Sequence, residues 1–202
     1  MEFKELKLKD NLLSTLSMQG FFAPTKIQER FIPVALNSKD ILAKSETGSG
    51  KTLAYLLPIL NNITNDGLQA LIVAPTKELA LQIKDVAKTF TKFLNLNVCT
   101  IYGGSDFTRQ RLNLKSANIV VGTTGRLIDH LNRRTIKLHK LKYLVLDEAD
   151  EMLNMGFISD IKTIYKACPK IKQTFMLSAT FNDKVKELAN DFLVNPQIIE
   201  MT

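Results

Sequence analysis

Two stretches of this chain combine residue types that could hold and cleave a nucleoside triphosphate. The first is Ala43-Lys44-Ser45-Glu46-Thr47-Gly48-Ser49-Gly50-Lys51-Thr52, which follows a strand pattern and opens a helix pattern. Glycines let the backbone curl so that its N–H groups face an anion, and a helix N-terminus adds positive potential. Lys51 is placed to reach the β- and γ-phosphates, and the Thr52 hydroxyl to ligate magnesium. The general phosphate-loop pattern has glycine six positions before the lysine, where this chain has Ser45. The second stretch is Asp147-Glu148-Ala149-Asp150, directly after the apolar run Tyr143-Leu144-Val145-Leu146. Asp147 would end a buried strand, where its carboxylate can hold magnesium directly or through water. Glu148 could then polarise an attacking water. The metal's charge offsets the repulsion between the two acids. Lys51, Asp147 and Glu148 are the candidate catalytic residues, with Thr52 and Asp147 the candidate magnesium ligands.

Such loops need a rigid frame. Short β-rich runs alternate with longer helical patterns along the chain. The expected strands are Asp40–Lys44, Gln69–Ala74, Asn97–Tyr102, Asn118–Gly122, Tyr143–Asp147, Thr174–Leu177 and Gln197–Glu200. Several are apolar on both faces, as buried parallel strands are. The expected helices are Lys9–Met18, Lys26–Leu36, Lys51–Asn61, Lys77–Phe93, Phe107–Leu114, Gly125–Arg133, Ile158–Tyr165 and Asp183–Phe192. The alternation predicts a three-layer α/β domain with a mostly parallel sheet. Ligands of such sheets sit at the carboxyl ends of the strands. The loops that begin at Ser45, Pro75, Gly103, Thr123, Asp147 and Ser178 fall there.

The 202 residues suit one domain, with 45% apolar and 23% charged residues, the balance of an ordinary globular protein. No apolar run is long enough to span a bilayer, and Met1–Lys7 lacks the apolar segment of a signal peptide. Cys99 and Cys168 stand alone, which fits buried thiols in a reducing cytosol. The net charge of +7 favours a polyanionic partner, because each neutralised phosphate releases counterions. His130 and His139 belong to no motif and are read as surface or packing residues.

The motifs together resemble the DEAD-box RNA helicase family, specifically its first RecA-like domain, a phosphate-loop NTPase fold. Asp147-Glu148-Ala149-Asp150 gives that family its name. Gly20-Phe21-Phe22-Ala23-Pro24-Thr25-Lys26-Ile27-Gln28 is similar to the family's Q motif, with Phe3 as its upstream aromatic. Pro75-Thr76-Lys77-Glu78-Leu79-Ala80, Gly103-Gly104 and Thr123-Thr124-Gly125-Arg126-Leu127 resemble its RNA-contacting motifs. Ser178-Ala179-Thr180 resembles the motif that couples ATP to RNA.

The resemblance implies that Gln28 hydrogen-bonds the adenine edge and that Phe21 stacks on its ring, with Lys26 and Ser45–Thr52 completing the nucleotide site. Phe22 is open to either reading, ring contact or core packing. Asp150, Ser178 and Thr180 would couple ATP to RNA. The RNA face would use Pro75, Thr76, Lys77, Gly103, Gly104, Thr123, Gly125 and Arg126, and would hold the backbone largely without reading sequence. Lys77 stands where the family usually has arginine, and lysine lacks the bidentate fork. Thr124 replaces the usual proline, which removes a fixed φ at a helix start. The implied cofactors are ATP and magnesium, and the implied location is the cytoplasm. A second RecA-like domain, bearing the arginines that complete the ATP site, would be needed for hydrolysis and unwinding. An ATP-gated binding module without unwinding, or a DNA translocase domain, are the competing readings.

Overall fold

A short strand that is apolar on both faces must be covered from both sides, so strands and amphipathic helices that alternate in sequence stack as helix, sheet, helix. A computed structural model, which describes residues 1–170 and 172–201, has this build. The strands are β1 (Ile41–Lys44), β2 (Ala70–Val73), β3 (Val98–Ile101), β4 (Ile119–Gly122), β5 (Tyr143–Leu146), β6 (Gln173–Ser178) and β7 (Gln197–Glu200). They form one sheet in the order β3-β4-β2-β5-β6-β1-β7, with every neighbouring pair parallel.

Alternate residues of each strand feed opposite cores. Ile41, Ala43, Ile72, Val145 and Phe175 pack under α1 (Asp10–Met18), α2 (Lys26–Leu36), α3 (Lys51–Asn62) and α4 (Lys77–Thr91). Leu42, Leu71, Val73, Leu144 and Met176 face α5 (Phe107–Leu114), α6 (Thr124–Asn132), α7 (Ala149–Asn154), α8 (Ile158–Ala167) and α9 (Asp183–Phe192). No helix among the described residues is long and apolar enough to cross a membrane.

The strands are mostly a residue or two shorter than the sequence pattern suggests, because flanking polar residues close the sheet instead of joining it. Asp40, just before β1, accepts hydrogen bonds from the backbone N–H groups of Thr174 (2.9 Å) and Val194 (2.8 Å). Two elements have no counterpart in the sequence pattern: a 3-10 turn at Phe3–Leu6, and α7. Both are too short to show helical periodicity. Helix α6 begins one residue earlier than expected, at Thr124, so Thr123 is its N-cap and Thr124 is buried. Cys99 and Cys168 are both free and buried, as expected, and burial pushes each thiol up to about 11.

Candidate functional site

The strand order sorts the motif loops into two halves of one sheet edge. β5, β6 and β1 are neighbours, so the loops after Leu146, Ser178 and Lys44 emerge side by side. These hold the acidic pair, Ser178–Thr180 and the glycine-rich loop. β3, β4 and β2 are the other neighbours, and their loops hold Gly103-Gly104, Thr123–Arg126 and Pro75–Lys77. Thus the candidate nucleotide residues and the candidate RNA residues lie on adjacent stretches of the same edge.

In the first half, Gly48 and Gly50 take left-handed backbone (φ 81° and 89°), which wraps the loop into the start of α3. A Cβ on Gly50 would lie 2.7 Å from Gln28 Nε2 and 2.7 Å from Thr25 Oγ1, so both conformation and space demand glycine there. The Ser45 N–H donates to the Ser178 carbonyl (3.1 Å), extending the β1–β6 ladder beyond the strands. The Ser45 and Ser49 hydroxyls bond each other across the loop. This gives the serine that stands in a glycine position a place in the fold. Lys26, Ser45, Glu46 and Ser49 line a shallow cavity of about 180 Å³.

Lys51 is nearly buried at the N-terminus of α3. Its ammonium lies 3.1 Å from Asp147 Oδ1 and 3.9 Å from Glu148 Oε1. Asp147 is fully buried, and its Oδ2 accepts a 2.9 Å hydrogen bond from the Tyr55 hydroxyl. Tyr55 is one helical turn after Lys51 and also fully buried. Burial first, and the Asp147 charge second, hold its phenol well above the usual range, so it donates. Asp147 Oδ1 accepts no hydrogen bond despite the nearby ammonium, and Asp150 Oδ1 is likewise unpartnered.

A buried carboxylate oxygen with spare lone pairs, beside a second acid, suits a hard cation. Among the described residues no three acidic, histidine or cysteine side chains cluster tightly enough to hold a metal alone. A cation here would draw further ligands from phosphate and water, as magnesium does. Thr52, half-buried on the first turn of α3, is on the correct element to join it. Glu148 sits at φ 51°, left-handed and unusual for a residue with a Cβ, at the N-cap of α7. Backbone strain of this kind, about 1–3 kcal/mol, concentrates at functional sites. Burial raises the Glu148 pKa, Lys51 opposes the shift, and Asp147 adds to it.

Asp150 is buried on α7, and its Oδ2 accepts a hydrogen bond from the Thr180 hydroxyl (3.3 Å). The Ser178 hydroxyl donates to the Thr180 carbonyl (2.7 Å). The three candidate coupling residues are therefore in contact, and through the Ser178 carbonyl they touch the glycine-rich loop.

In the second half, Pro75, Gly103, Thr123, Gly125 and Arg126 line one open groove of about 440 Å³. The Thr76 hydroxyl caps α4 by accepting from the Leu79 N–H (3.2 Å). Lys77 is exposed, with its ammonium 5.0 Å from the Tyr102 ring centroid. Gly104 has φ 83°, and Gly103 and Gly104 are both exposed.

The DEAD/DEAH box helicase family profile matches residues 25–188. The chain belongs to that family. The ATP-dependent RNA helicase CshA of Listeria monocytogenes is 44% identical over 203 residues, covering 99% of this chain and 39% of that protein. A probable ATP-dependent RNA helicase of Methanocaldococcus jannaschii is 45% identical over 195 residues, covering 96% of this chain and 53% of its own length. The crystal structure of a DEAD box protein from Methanococcus jannaschii matches with a TM-score of 0.97 at 43% identity, over all of this chain and 56% of that one. The fold is therefore RecA-like, and the chain spans about half, or less, of the relatives it matches.

Within this DEAD-box fold, Gln28 already serves the chain. Its Oε1 accepts from the Thr25 N–H (2.9 Å) in a capping box of α2, and its Nε2 donates to the Gly50 carbonyl (3.0 Å). One N–H and one lone pair of the amide remain for a base edge. Phe21 and Phe22 are 43% and 68% exposed, so core packing does not describe Phe22. Wild type is expected to bind ADP well over GDP, and Gln28→Ala to lose that preference together with overall affinity, since it also releases Gly50. Calorimetry with the two nucleotides measures both, and equal wild-type affinities would refute the adenine assignment.

Several supporting residues carry no motif signal. Tyr55 is one; a hydroxyl four positions after Lys51, on the same helical face, is the available clue. Tyr55→Phe should cost about 1–3 kcal/mol, because the buried Asp147 carboxyl loses its hydrogen-bond donor. Urea unfolding of the variant measures it, and a loss below about 0.5 kcal/mol would mean the bond contributes little.

His130 is another. It is fully buried, stacked on Phe107 (centroids 4.1 Å apart), with Nδ1 2.7 Å from Thr135 Oγ1 and Nε2 3.1 Å from Gln110 Oε1. Gln110 Oε1 also accepts from Arg126 Nη1 (3.1 Å), so the imidazole helps to hold Arg126 in place. Because Gln110 Oε1 can only accept, Nε2 carries the proton. Burial first, then the Arg126 charge, lower the His130 pKa to about 4. Between that value and the unfolded pKa near 6.5, the unfolded chain binds more protons than the folded one. Stability should therefore fall as pH drops from about 6.5 toward 4, and this component should vanish in His130→Gln. Denaturant midpoints across that range, for both proteins, test it.

Proposed function

We propose that this chain is the ATP-binding half of an ATP-dependent RNA helicase. The observation that carries this reading is the Lys51 ammonium poised 3.1 Å from Asp147 and 3.9 Å from Glu148 at the mouth of a glycine-rich loop. Lys51 and the loop N–H groups bind the phosphates, while Gln28 and Phe21 hold the base. Asp147 and Thr52, with water, would hold magnesium, which would supply positive charge to neutralise phosphate oxygens. Tyr55 keeps Asp147 oriented. Glu148 orients and polarises the attacking water from its strained N-cap position. Asp150, Thr180 and Ser178 carry the state of the phosphate loop toward the RNA side.

Pro75, Thr76, Lys77, Gly103, Gly104, Thr123, Gly125 and Arg126 hold the RNA backbone from the neighbouring half of the sheet edge. Backbone N–H groups and two cations grip phosphates without reading bases. Separation of strands requires a second RecA-like domain to close on ATP and RNA. The relatives' greater length leaves room for such a domain. Joined to one from the family, this chain should separate a short RNA duplex with ATP and fail with GTP. RNA clamping without strand separation would instead support an ATP-gated binding module, and equal action on a DNA duplex would support a translocase.

A further inference from the structure

A cavity of about 740 Å³ lies outside every motif, along the seam between α5 and α6 and toward the amino ends of β2 and β5. Arg111, Lys115, Arg133, Arg134, Lys137 and Lys140 line it, and no carboxylate does. Lys140 pairs with Asp66 (2.7 Å) and Arg133 with Asp129 (3.0 Å). Arg111, Lys115, Arg134 and Lys137 make no ion pair among the described residues. Gathering like charges in one hollow is unfavourable unless an anion offsets them. Arg134 has φ 57° in the position just past α6 where glycine is preferred. Its side chain is set at the cavity wall by that turn.

We propose that this seam is a second phosphate-binding site, occupied by the backbone of the RNA strand that leaves the motif groove. The proposal rests on the RNA reading above. One observation favours RNA over an acidic partner protein. The seam is continuous with the groove. Arg126 lines the groove and lies 5.7 Å from the centroid of the Phe107 ring, which lines the seam. Arg133 lies 4.4 Å from the same centroid, at the far end of α6. From Gly125 to Asn132 the helix climbs roughly 10 Å. That is about three stacked nucleotides at 3.4 Å each.

The test uses this 202-residue chain and two oligouridylates. One fills only the groove, at ~6 nucleotides, and the other, at ~16, spans groove and seam. Arg111→Gln, Lys115→Gln, Arg134→Gln and Lys137→Gln are combined in one variant. The long oligomer should bind the variant about tenfold or more weaker, with log K against log salt flatter by about 0.7 for each phosphate that is no longer neutralised. The short oligomer should bind both proteins alike. Amine acylation of wild type gives an independent readout: the long oligomer should protect Lys115 and Lys137 and the short one should not. Equal long-oligomer affinity in the variant, or lysines left unprotected, would overturn the proposal while leaving the groove intact. Protection by polyglutamate and not by the long oligomer would assign the seam to an acidic peptide and also overturn it. Failure of wild type to bind either oligomer would bring down the RNA reading itself, and the proposal with it.

Discussion

Lys51→Ala is expected to weaken ATP and ADP binding well beyond tenfold, more than ~1.4 kcal/mol. Two losses combine. The variant removes the mobile cation of the phosphate loop. It also removes the positive charge 3.1 Å from Asp147 and 3.9 Å from Glu148, leaving two acids facing an incoming polyanion. The second loss predicts more than the first alone: a deficit that grows as magnesium is lowered, because only the metal then offsets the acidic pair. Asp147 is fully buried, so uncompensated charge could also unsettle the fold. Lys51→Gln keeps most of the volume, and a thermal melt separates unfolding from lost binding. Calorimetric titration at several magnesium concentrations is the measurement. Unchanged affinity in a folded variant would sink the phosphate-loop assignment.

How much of the fold and the site is legible in the amino-acid sequence depends on the distance over which each signal acts. The strand–helix alternation is local, and each strand's two-faced apolar character demands helix layers on both sides. The phosphate loop is local too, because its glycines, lysine and threonine are contiguous. Strand order is not local. Nothing in the run Gly103–Gly122 shows that β4 sits between β3 and β2, yet that order gathers Pro75, Gly103 and Thr123 around one groove. The Tyr55–Asp147 bond spans 92 positions, and no spacing rule reaches so far.

Gln28 shows a different limit. Thr25 and Gln28 stand at capping-box spacing, a signal as plain as the adenine reading, and the side chain serves the helix and Gly50 as well. His130 is hidden for a third reason. A buried histidine satisfied by Gln110 and Thr135 follows no periodicity, since its partners come from one neighbouring helix and one turn. The seam's cations register in the sequence only as an overall +7 charge, which cannot say where they gather.

Turnover by this chain alone should be very slow and barely stimulated by RNA, and joining a second RecA-like domain of the family should raise it by ~10³–10⁵. The reasoning begins with what the acidic pair can do. Lys51, Asp147 and Glu148 bind, neutralise and orient, whereas the Arg30 guanidinium is turned to the Glu200 carbonyl (3.1 Å). Arg126 is committed to Ser105 and Gln110 on the other half of the sheet edge. Charge that develops on the transferred phosphoryl group therefore needs a cation from outside these residues. Glu148→Gln in the joined protein should abolish the RNA-stimulated gain. It should leave ATP binding largely intact, because the amide keeps the side chain's size while losing the ability to polarise water. It should also relieve one acid beside Lys51, so nucleotide affinity is expected to hold or rise slightly, opposite to Lys51→Ala. Steady-state phosphate release with and without single-stranded RNA, for the chain and for the joined protein, reads all of these. Robust RNA-stimulated release by residues 1–202 alone would show that the cation is supplied from within, and the half-machine reading would be wrong.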